Sequence, residues 1–95
     1  MSLTLCVLLW PHEGRGAALI AYEDRVLELL ADHDATLLSR ARSDGSDGHP
    51  LEVQLFEFPS QVELDGYLND VRRAAMAAER DAAVARTELM RVELV

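Results

Sequence analysis

A chain of 95 residues has room for one thin-cored domain, 1–95, because so short a chain buries only about 60 to 65% of its unfolded surface. With 17 acidic against 9 basic side chains and a formal net charge of −8, it repels phosphate backbones and so excludes nucleic acid as a partner. Every basic residue is arginine, which rules out a Schiff base, pyridoxal phosphate attachment and a P-loop lysine. Cys6 is the only cysteine, so neither an internal disulfide nor a thiolate zinc site is expected, and the thiol reads as an inert buried one. No apolar run approaches the roughly 20 residues that span a bilayer, and the first ten residues lack the basic start and cleavage site of a secretory signal. The expected address is the cytoplasm, without membrane contact.

Residues 3–10 are dense in β-formers, with Leu3, Leu5, Val7 and Leu9 on one face and Cys6, Leu8 and Trp10 on the other. Such a strand is apolar front and back. Pro11 ends it, and Gly14-Arg15-Gly16 supplies turn chemistry before a helix; an anion cradle at that helix start is the alternative reading. Over 17–33, Leu19, Tyr22, Val26, Leu29 and Leu30 recur at three- and four-residue steps, an amphipathic helix with Asp24, Arg25, Glu28 and Asp32 turned mostly to solvent. Residues 36–43 begin with Leu37 and Leu38 but carry Arg40 and Arg42, too polar for a strand covered on both faces, so this is an edge strand. The turn-rich stretch 44–50 makes its flanking strands hairpin neighbours.

Residues 51–58 set Leu51, Val53 and Leu55 against Phe56 and Phe58, the pattern of a central strand. Ser60 and Glu63 form a capping box that starts a second helix. Its stripe runs through Leu64, Tyr67, Leu68 and Val71, followed by Ala74, Ala75, Ala78 and Ala82, small enough for close approach to a sheet. Asp70 suits the N-cap of a separate helical piece, so a break is expected near Asn69. Residues 87–95 alternate Leu89 and Val95 against Met90, Val92 and Leu94, a fourth strand.

Elements in the order β-α-β-β-α-β, with the first and third strands the most apolar, fit an α+β, ferredoxin-like fold: one four-stranded antiparallel sheet of spatial order 4-1-3-2 with two helices on one face. The helix-free face then keeps an apolar set of its own. A bare patch above about 400 Å² marks an interface, and a self-pairing sheet buries about 800 Å² per partner. A two-fold homodimer through sheet faces is therefore expected.

Several residues carry a resemblance. Tyr22 on the first helix, His33 with Leu37-Leu38 and Arg40 at the passage into the second strand, Phe58-Pro59-Ser60 and Arg80 together resemble the dimeric α/β-barrel superfamily, and within it the bacterial domain-of-unknown-function family 1330. The chain departs from that family's pattern at Asp34-Ala35, where a glycine pair is common, and at Asp70-Val71-Arg72-Arg73, which stands in place of a Ser-Pro-x-Tyr segment. The superfamily includes cofactor-free monooxygenases, isomerases and lyases acting on small organic molecules, and some haem enzymes, so the likeness is a prior on function and no more.

The resemblance makes Tyr22, His33, Arg40 and Arg80 the ligand-binding candidates, suited to an anionic or carbonyl-bearing small molecule through forked donors. Each also has a plain structural reading: Arg80 pairing locally, Arg40 decorating an edge, His33 stabilising a helix C-terminus, Tyr22 filling core. His12, His33 and His49 fall at no ligand spacing, so no metal is expected, and no cofactor either. Trp10 either lines a cavity or plugs the dimer seam, and Glu57 is a candidate base only if buried. Three functions stay open: a small-molecule binding protein, a cofactor-independent monooxygenase or isomerase using Tyr22, His33 or Glu57 as acid or base, and a non-catalytic structural or partner-binding dimer.

Overall fold

The computed structural model describes residues 2–95. Strand β1 (Leu3–Pro11) leads into helix α1 (Gly16–Val26), which tightens into a 3-10 segment, Leu27–His33; β2 (Thr36–Arg42), a 3-10 turn at Ser46–Gly48 and β3 (Glu52–Phe58) follow. Three short helices, α2 (Gln61–Leu68), α3 (Val71–Ala75) and α4 (Ala77–Ala83), then precede β4 (Val84–Val92). The strands form one sheet in the order β2-β3-β1-β4, with every neighbouring pair antiparallel. This is the spatial order expected from the sequence.

The core lies between the sheet and the helices. Leu3, Leu5, Val7 and Leu9 of β1 and Phe56 and Phe58 of β3 face inward and meet Leu19, Tyr22, Val26, Leu30, Leu64 and Tyr67. Alternation decides which residues these are, since side chains of one parity share a sheet face. On the opposite face Cys6, Leu8, Trp10, Val53 and Leu55 are only half-buried and Met90 is exposed. Trp10 lies on this helix-free side, where its indole N–H donates to the Gly48 carbonyl at 2.8 Å and the Arg86 guanidinium sits 4.4 Å from its ring centroid.

The second helical region breaks twice. Ser60 caps α2 by accepting from the Val62 amide, while its hydroxyl donates to the Glu63 carboxylate. The chain then turns at Asn69, and Asp70 caps α3 by accepting from the Arg72 amide at 2.8 Å, as its residue type suggested. A second break at Met76 was not foreseen, and together the breaks change which side chains face the sheet. Leu68 and Val71 are exposed rather than part of a buried stripe, and so are Ala74, Ala75, Ala78 and Ala82; Ala83 is the alanine that is buried. Strand β4 also starts earlier than 87, because Val84 pairs with Pro11, and it ends at Val92, which pairs with Thr4 near the start of β1. Leu94 and Val95 have no strand to lie against and are exposed.

Candidate ligand site between helices and sheet

Three polar residues sit where the periodicity places apolar ones. Glu23 follows Leu19 by four residues and precedes Val26 and Leu30 by three and seven, so it shares their helix face and is 5% exposed. Glu52 and Gln54 share sheet parity with Phe56 and Phe58 and are 0% and 1% exposed. Buried charge survives only when paired and hydrogen-bonded, and this set meets that condition as a chain. The Gln54 amide nitrogen donates to Glu23 Oε1 and to Glu52 Oε1, both at 2.8 Å. Glu52 in turn receives a forked contact from Arg40 and a 3.3 Å contact from Arg42, and Arg40 reaches Asp24 at 2.7 Å. The hydrogen bond to the Glu23 carboxylate falls on Oε1, not on Oε2.

Glu23 lines a chamber of about 60 Å³ between α1, α2, α3, α4 and the inner faces of β1, β3 and β4. Beyond it lies an open groove of about 460 Å³. The two share Tyr22, Leu68, Arg73, Arg80, Thr87 and Leu89 as walls, so they are one site with an inner and an outer part. Burial pushes the Glu23 carboxyl above its usual 4.5; the Glu52 charge adds to this, while the Gln54 hydrogen bond, Arg40 and Arg73 oppose it. Burial likewise raises the Tyr22 hydroxyl against the pull of Arg73, and raises Tyr67 to about 12.

Arg73 lies beside both tyrosine hydroxyls, and its charge and side-chain hydrogen bonding oppose the rise in their proton affinity. Its guanidinium packs 4.6 Å from the Tyr67 ring centroid and Nη1 donates weakly to the Leu68 carbonyl at 3.4 Å, yet Nε is buried with no partner. Arg80 donates to the Thr87 hydroxyl at 3.2 Å and stands 3.8 Å from Asp81. The site thus offers a cationic pair at the passage between groove and chamber, two tyrosines, and a carboxylate at the inner end.

Of the residues singled out from the sequence, Tyr22 and Arg80 line both parts of the site, whereas Arg40 and His33 line neither. Arg40 is held at the β2 edge by Glu52 and Asp24. His33 hydrogen-bonds Asp70 at 2.7 Å and meets Tyr67 edge-on, with ring centroids 5.9 Å apart. Gly66 permits that approach, since a β-carbon there would fall 3.1 Å from the His33 ring. Glu57 pairs with Thr4 and Thr36 on the helix-free side, away from the chamber. His12 bonds the Asp81 carbonyl at 3.0 Å, and among the described residues no group of three metal-ligating side chains occurs. Glu23, Gln54, Glu52 and Arg73 were not singled out. The first three were visible as polar residues at core positions of the period, and Arg73 lies in the segment that departs from the family pattern.

No known family profile matches the sequence, and no curated protein does. Solved structures match over nearly the whole chain. RPA0582 from Rhodopseudomonas palustris, a protein of unknown function, is 21% identical with a TM-score of 0.74, over 99% of this chain and 82% of that one. A dimeric protein of unknown function with a ferredoxin-like fold from Bacteroides fragilis is 9% identical with a TM-score of 0.72, over 98% and 96%. SnoaB, a cofactor-independent oxygenase from Streptomyces nogalater, is 13% identical with a TM-score of 0.71, over 99% and 95%. The fold is ferredoxin-like, in the α+β class.

Proposed function

We propose that this chain is a single domain, 1–95, that forms a cytoplasmic homodimer through its helix-free sheet faces and binds a small organic anion or carbonyl compound in the chamber and groove. The observation that carries the ligand reading is the Arg73 Nε, buried without a partner beside the chamber. A native protein rarely leaves such a donor unmatched unless something else completes it, and a carboxylate or carbonyl oxygen is its natural complement. The enclosed part is too small for a whole drug-sized molecule, whose sites run to about 300 Å³ or more. One functional group enters the chamber while the remainder lies in the groove. The dimer is supported by the apolar helix-free face and by the dimeric Bacteroides fragilis neighbour, and a cytoplasmic setting suits one unpaired cysteine. Kinship with the domain-of-unknown-function family 1330 belongs to the same reading and rests on the residues quoted for it above.

A thermal-shift screen with small carboxylic acids, quinones and phenols tests the ligand reading. A true ligand at a hundred times its Kd adds about 2.7 kcal/mol, a rise of roughly ten to twenty degrees for a domain of this size. Arg73→Met is expected to weaken that ligand by about ten- to a hundredfold, the worth of a charged hydrogen bond. Stabilisation by none of the compounds would instead favour a non-catalytic, partner-binding dimer.

A further inference from the structure

We infer that Glu23 is a proton acceptor at the inner end of the site, and that the site takes 2-oxo acids and related enolisable carbonyl compounds, removing a proton from the carbon next to the carbonyl. This deepens the ligand reading above and rests on it. The geometry points this way because the chain of side chains behind Glu23 immobilises one carboxylate oxygen and leaves the other free. Both hydrogens of the Gln54 amide nitrogen are committed, one to Glu23 Oε1 and one to Glu52 Oε1, and Glu52 is itself pinned by Arg40. Glu23 can therefore neither swing out to solvent nor rotate without breaking a buried network. Oε2 is left as the acceptor that a group in the chamber would meet.

The rest of the wall completes an acid–base arrangement for carbanion chemistry. Arg73 and Arg80 flank the same space, and their charges suit both a ligand carboxylate and the oxygen on which negative charge develops. In the step itself the Cα–H bond breaks, its proton forms an O–H bond on Glu23, and the C–H electron pair moves into the new C=C as the carbonyl π pair shifts onto oxygen. The resulting enolate is then reprotonated at the same carbon from Glu23 or from solvent. No oxidant or reductant is required. Burial that raises the carboxyl's proton affinity makes its ionised form the stronger base.

Phenylpyruvate in D2O, with exchange of its benzylic protons followed by proton NMR, tests this on the full chain. Benzoylformate, which has the same 2-oxo acid head but no α-hydrogen, reports binding alone by thermal shift. The expected result is that wild type binds benzoylformate and accelerates exchange over buffer, and that Glu23→Gln still binds it but loses exchange by about a hundredfold or more. Binding without accelerated exchange in wild type, or full exchange in Glu23→Gln, overturns the role of Glu23 and leaves the ligand reading standing. Binding of neither compound by wild type removes the substrate class and this inference with it, while the broader screen decides the ligand reading separately. If Glu23→Gln does not fold, Glu23→Asp withdraws the carboxylate by one methylene; it should keep benzoylformate binding and lose exchange at least tenfold, and an undiminished rate would overturn the proposal.

Discussion

A carboxylate held away from water carries its desolvation cost into the stability of the whole chain, and Glu23 is where this protein bears it. The groups that face it are Gln54 and, behind that, Glu52 from β3, Arg40 from β2, Arg73 from α3 and Tyr22 on its own helix. Its folded-state proton affinity is raised above the ordinary 4.5, burial being the largest cause. As pH climbs from about 4.5, the unfolded carboxyl ionises first while the native one keeps its proton, so this residue's contribution to stability falls until the folded group has also ionised. Glu23→Gln, whose side-chain carbonyl still accepts from Gln54, should therefore remain more stable than wild type at pH 7 and lose this part of the pH slope, as urea denaturation at pH 4 and pH 7 would record. At this scale the sequence was half legible. Period and parity assign Glu23, Glu52 and Gln54 to inward positions, but the habit of counting charged residues as solvent-facing hid them, because only the fold reveals that Arg40 and Gln54 stand ready to satisfy them.

Among the elements, the turn from α2 to α3 centres on Asp70, with Arg73 reaching back to the Leu68 carbonyl. Asp70 caps α3, receives Arg72, which also pairs with Asp32 of the 3-10 segment at 2.8 Å, and bonds His33 at the end of that same segment. Hydrogen bonds from Arg72 first, and then from His33, hold its carboxyl well below the usual 3.8. As pH falls below 3.8 the unfolded chain takes up this proton before the native one does, so stability declines on the acid side. Asp70→Asn should lower the melting temperature at pH 7 and flatten that acid limb, which calorimetry between pH 3 and pH 7 would measure; an unchanged limb would mean that other carboxylates dominate it. Local chemistry announced this break, since a capping residue follows Asn69 directly. The break at Met76 has no comparable mark in an alanine-rich run where every residue favours helix, and so the faces of α3 and α4 could not be read.

For the molecule as a whole, the two faces of the sheet have different tasks. The helix-covered face encloses the core and the site, whereas the other leaves Leu8, Val53 and Leu55 only half-buried. Light scattering at micromolar concentration should report two protomers, and Leu8→Glu should shift the balance toward one by at least a hundredfold in Kd, since an unpaired charge in a sealed interface costs several kcal/mol. The apolar character of both sheet faces was legible from β1. The chamber was not, because its walls come from residues as far apart in the chain as Val7, Tyr22, Gln54 and Thr87, and no local pattern relates them. Trp10, the sole tryptophan, stands on the uncovered face under the Arg86 guanidinium. Its fluorescence therefore offers a native gauge of the proposed self-association: emission that shifts toward the blue on concentration would follow pairing without any attached dye, at dilutions too weak for scattering.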